Sequence, residues 1–62
     1  MTITKARERF GLNENDTIYA DGIKELMENT KKRLNTWSLP NYLKAGLEKD
    51  LKALEVLLTV AE

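Results

Sequence analysis

The chain has 62 residues, ten basic and ten acidic, with no Cys and no His. That length holds one small domain, 1–62, and the composition excludes a disulfide, a thiol nucleophile and a Cys–Zn site, together with the commonest transition-metal ligand and general base. A net charge of zero supplies no global field to draw in nucleic acid or anionic lipid.

Chains this short bury only about 60% of their unfolded surface. Many recruit a disulfide, a metal or a partner, and association is the aid left open here. No stretch approaches the roughly 20 apolar residues of a membrane span. Met1–Phe10 carries Lys5, Arg7, Glu8 and Arg9 and no apolar core of a signal peptide. A cytoplasmic chain is expected.

Taken in order, Thr2–Phe10 suits a short helix, capped by Thr2 or Thr4 and stopped by Gly11 at C′. Ile3, Ala6 and Phe10 share one face. A helix of nine residues is not stable alone in water, so Ile3 and Phe10 are expected to dock on longer helices. Asn13–Thr17 is a polar turn with several side chains able to accept from backbone N–H groups.

The second helix carries a stripe of Tyr19, Ile23, Leu26, Met27, Thr30, Leu34 and Trp37 within roughly 100° of arc. Asp21-Gly22 favours a turn and costs about 1 kcal/mol inside a helix. Continuity is nevertheless expected, because only a continuous helix places Tyr19 on the stripe. Thr36–Leu39 is a short connection, which makes the two long helices antiparallel neighbours, with Trp37 and Tyr42 at the bend.

Leu39–Glu62 reads as one long helix, with Ser38 as N-cap and Pro40 in the first turn. Leu39, Leu43, Leu47, Leu51, Leu54, Leu57, Leu58 and Ala61 form its buried stripe at three- and four-residue steps, and its last residues are expected to fray. Tyr42, Gly46, Ala53, Val56 and Val60 form a second apolar face. The small residues Gly46 and Ala53 allow another backbone to approach closely. That backbone is either another helix of this chain or a partner.

Charge is segregated along the second helix. Asn13–Asn29 holds five acids against Lys24 alone, a local balance of −4, and Lys31, Lys32 and Arg33 follow. Acid early and base late complements the helix macrodipole, and Glu28–Lys32 and Glu48–Lys52 are favourable four-residue pairs. Glu14, Asp16, Asp21 and Glu25 lack the spacing of a calcium-binding loop. Asp50, at the edge of the buried stripe, needs a cation, and Arg33 or a base of the first helix is expected to supply it.

Catalysis needs positioned acid–base groups or a nucleophile in a concave site. Here the carboxylates fall mostly on polar faces, and Gly11, Gly22 and Gly46 are isolated, so no phosphate loop exists. No enzyme, cofactor or metal is expected.

Tyr42, followed on the same helix by Lys52-Ala53-Leu54-Glu55 in a short two-helix chain, resembles the small helical-hairpin co-chaperones of type III secretion. The match covers under half the chain, and the interval between the two features is two residues too long for helical register. No membership is drawn from it. The resemblance implies a non-catalytic hairpin that lays one helix face on a partner.

The expected fold is all-α, an antiparallel helical hairpin with a short N-terminal third helix, that is, a small three-helix bundle. The expected function is non-catalytic protein binding, as an adaptor, inhibitor or co-chaperone. Its surface would comprise Trp37, Tyr42, Gly46, Lys49, Ala53, Val56 and Val60, and its partner would be another protein or a second copy. One alternative is a nucleic-acid-binding regulator using Lys5, Arg7, Arg9 and Lys31, Lys32 and Arg33. Against it stand the zero net charge and a bend without the Gly-containing turn of a helix-turn-helix. Another alternative is a structural subunit of a helical assembly.

Overall fold

The computed structural model describes residues 1–36 and 38–62, except the side chain of Thr36. Three helices follow in order, α1 (Ile3–Arg9), α2 (Ala20–Thr36) and α3 (Asn41–Leu58), and the described residues contain no strand. This is the expected all-α three-helix bundle. Trp37 lies outside the described residues, so its expected places on the α2 stripe, at the bend and on the binding surface lie there too.

The limits of α1 follow from local chemistry. Thr2 is extended at φ −84°, ψ 160°, and its Oγ1 accepts the Lys5 N–H at 3.2 Å, which satisfies one of the open donors of the first turn. At the other end Gly11 sits at φ 69°. The Leu12 N–H donates to the Arg7 carbonyl at 2.8 Å and the Gly11 N–H to the Glu8 carbonyl at 3.1 Å. These are the two bonds of a Schellman stop, which needs a left-handed residue at C′. Ala6 is the buried contact of α1, whereas Ile3 stays exposed.

The polar turn is held from α1. The Arg7 guanidinium donates to the carbonyls of Asn13 at 2.8 Å and Asp16 at 3.1 Å. The Asp16 carboxylate accepts the Asn13 N–H at 2.8 Å.

Helix α2 runs through Asp21-Gly22 without a break, and Gly22 lies in its first turn. Ile23 is buried and Met27, Thr30 and Leu34 are half-buried, as the stripe requires. Tyr19 and Leu26 depart from it. Tyr19 precedes the helix, its carbonyl accepting the Ile23 N–H at 3.1 Å, and is 65% exposed. Helical spacing does not govern a residue outside the helix, so the stripe cannot carry it inward. The buried residue there is Ile18. Ile18 and Ile23 stand at the N′ and N4 positions of the helix start, the pair that forms a hydrophobic staple.

Helix α3 begins later and ends earlier than expected. Pro40, at φ −57°, ψ 149°, is the N-cap and has no side-chain bond to offer. Its carbonyl accepts from Leu43 and Lys44, each at 3.1 Å. Ser38 is therefore not the cap. A residue before proline is pushed out of the helical region, which excludes Leu39 from the helix and leaves Ser38 too early to cap it. The helix closes at Leu58, where Thr59, Val60 and Ala61 donate to carbonyls three residues back, the tightening common at helix ends.

The final residues are tied down rather than frayed. The Glu62 N–H donates to the Ile18 carbonyl at 2.8 Å, and the Ala20 N–H donates to the Glu62 carbonyl at 3.0 Å. This rung joins the end of α3 to the entry of α2 and makes the two helices antiparallel. The core consists of Ala6, Ile18, Ile23, Ala53, Leu54 and Leu57, all at that end of the hairpin. Burying a leucine contributes about 1.5–3 kcal/mol, so Leu54 and Leu57 dominate a small core.

Candidate protein-binding surface

Helices α1 and α2 each pack on α3 and, among the described residues, not on each other. At 1.5 Å per residue, the 18 residues of α3 span about 27 Å. The seven of α1 span about 10 Å. Helix α1 therefore covers only part of the second face of α3. The radius of gyration, 11.9 Å, exceeds the roughly 10.6 Å of a compact chain this long, in keeping with a hairpin that extends past α1.

The end of α1 is fixed to α3 by one side chain. Arg9 Nε lies 2.5 Å from Asp50 Oδ1, and the same guanidinium donates to the Gly46 carbonyl at 3.1 Å. The cation that Asp50 requires thus comes from the first helix. Both side chains are about one-third exposed, so the pair is worth about 1 kcal/mol or less.

Two grooves flank α3. One, of about 470 Å³, is lined by Arg9, Arg33, Leu39, Tyr42, Leu43, Gly46, Leu47 and Asp50. The other is lined by Phe10 and Leu12 from the α1 end, Ile18 to Leu26 around the α2 start, and Leu54 and Leu57. Leu43, Leu47, Asp50, Leu54 and Leu57 recur at four- and three-residue steps, so both grooves share one face of α3. The two share no lining residue; the first, lined by Arg9 of α1, Arg33 of α2 and the first half of α3, is termed the trough.

The expected binding residues divide across this geometry. Tyr42 is 75% exposed and lines the trough with Gly46. Lys49 and Val60 are exposed and Val56 is half-buried, and none of the three lines the trough. Ala53 is a correction, being fully buried in the core. It packs in one cluster with Ala6 of α1 and with Ile18 and Ile23 at the start of α2. Leu43, expected in the buried stripe, is 45% exposed, because α1 ends before reaching it. Leu26, likewise expected inside, is exposed in the other groove.

Of the expected nucleic-acid residues, Arg9 and Arg33 line the same groove. Arg7 is committed to the polar turn and Arg9 to Asp50. Lys5 is exposed on α1, and Lys31, Lys32 and Arg33 are exposed on α2. Arg33 reaches the trough and has no hydrogen bond or ion pair among the described residues.

Sequence reasoning missed Leu39, Leu43 and Leu47 as surface, because stripe periodicity alone assigns them to the core. The signal available was length, since a short first helix cannot cover the whole of a much longer third one. Among the described residues no group of His, Cys, Asp and Glu is placed to hold a metal, and no helix is long and apolar enough to cross a membrane. No family model, curated protein or solved structure matches the chain.

Proposed function

We propose that this chain is a non-catalytic protein-binding module that accepts a helix in the trough over α3. The observation that carries this reading is the open apolar floor over the first half of α3, where Tyr42 and Leu43 stand exposed in the groove that Arg33 also lines. A helix laid there extends the track that α1 already occupies. Helix-in-groove recognition uses anchors at this spacing. The trough is open along its length and offers no enclosure for a small molecule, whose pockets bury most of the ligand. An adaptor, an inhibitor or a co-chaperone acts through such a surface. The nucleic-acid alternative has less support, since Arg7 and Arg9 are engaged by groups of the chain itself.

The test is a photoreactive side chain at position 43, with position 52 as the control. Nine residues separate the two, which places them on opposite faces of α3, and Lys52 is exposed. Adducts with a polypeptide from position 43 and not from position 52 support the reading. Equal labelling from both positions, or none from position 43, overturns it.

A further inference from the structure

We infer that the helix seated in the trough is acidic, with an Asp or Glu among its apolar anchors placed to meet Arg33. The inference rests on the protein-binding reading of the trough and adds the chemistry of the partner. The groove lining holds two guanidiniums, Arg9 and Arg33, against one carboxylate, Asp50. Arg9 takes that carboxylate. Arg33 has no hydrogen bond or ion pair among the described residues, so one positive charge of the groove is left without a counter-charge there.

The rest of the lining is apolar. Leu39, Tyr42, Leu43 and Leu47 line the groove with Arg33, and Tyr42 and Leu43 are exposed. A helix that covers those residues also takes water from the guanidinium beside them. A desolvated charge without a partner is costly, which penalises a wholly apolar occupant. A carboxylate offsets that penalty, and it can accept two parallel hydrogen bonds from the planar guanidinium.

The surroundings favour the same sign. From Asn29 to Leu47 the chain carries Lys31, Lys32, Arg33 and Lys44 and no acid, which draws an acidic segment toward this end of the hairpin. A nucleic-acid backbone would supply the charge but no aliphatic anchors for Leu39, Leu43 and Leu47. A bilayer surface is too broad to enter a cleft flanked by two helices.

The experiment is selection of displayed helix-forming peptides of about four turns, randomised at every position, on the full chain and on Arg33→Glu. Arg33 is exposed, so the variant is expected to keep its helicity. The parent chain is expected to enrich an Asp or Glu three or four residues from aliphatic anchors. Arg33→Glu is expected to replace that acid with Lys or Arg. By fluorescence anisotropy the best peptide is expected to bind Arg33→Gln about tenfold more weakly. A Gln in place of the peptide's acid should reproduce that loss, and the two changes together should not double it. Enriched peptides without an acid, or with the same acid kept against Arg33→Glu, overturn the inference. If Leu43→Glu still excludes those peptides, the protein-binding reading stands. An absence of enriched peptides also overturns the inference. If the chain then self-associates and Leu43→Glu abolishes it, the occupant is a second copy. If it instead binds a random DNA duplex or a phosphatidylserine vesicle through Arg33, the groove takes phosphate and the protein-binding reading falls with the inference.

Discussion

Arg9 and Asp50 join the last turn of α1 to the middle of α3, with Nε 2.5 Å from Oδ1. The contact spans 41 residues of sequence and marks where α1 stops covering α3. Asp50→Ala is expected to loosen α1 while sparing the hairpin, at a global cost of about 1 kcal/mol or less. Amide exchange read by residue checks this, with protection lost in α1 and retained in α3.

Leu57 is fully buried where α1, α2 and α3 supply the core. Leu57→Ala is expected to cost about 2–5 kcal/mol. Total stabilities run to about 5–15 kcal/mol, and less for the smallest chains, so much of the population should unfold. Urea titration followed by far-UV circular dichroism measures the loss.

Much of this fold was legible in the residues, and what was not has specific physical causes. Thr2 and Gly11 act within a few residues of themselves, so capping chemistry places the ends of α1. The inward positions of Ile23, Met27 and Leu34 follow from the helical period. Ile18 did not, because its burial depends on the pairing with Glu62, 44 positions away in the chain. The staple spacing from Ile18 to Ile23 was the local clue. On the candidate surface Tyr42 was visible as an apolar residue off the main stripe. Ala53 looked equivalent to it, but it belongs to the core with Ala6, Ile18 and Ile23, a tertiary packing that helical spacing alone does not give.

The Glu62 rung gives a test of how the hairpin end is held. Removing Ala61 and Glu62 takes away both backbone bonds to Ile18 and Ala20. Each such bond contributes about 0.5–1.5 kcal/mol. The entry of α2 is expected to exchange its amides faster, Ala20 first, and the melting temperature to fall by several degrees for a domain of this size.

Gly11 holds its left-handed conformation with open space around it. Gly11→Ala therefore meets no clash, and its cost is conformational, about 1–2 kcal/mol. The effect should appear as fraying of α1 in amide exchange, with the hairpin unaffected.

The trough itself is tested most directly by Leu43→Glu. Leu43 is 45% exposed on the trough floor, so a charge there meets solvent in the isolated chain and an apolar surface in a complex. Helicity and melting temperature are expected to hold, while association with polypeptide, whether a second copy or another protein, is lost. A variant that unfolds, or one that associates as tightly as the parent chain, contradicts a binding trough over the first half of α3.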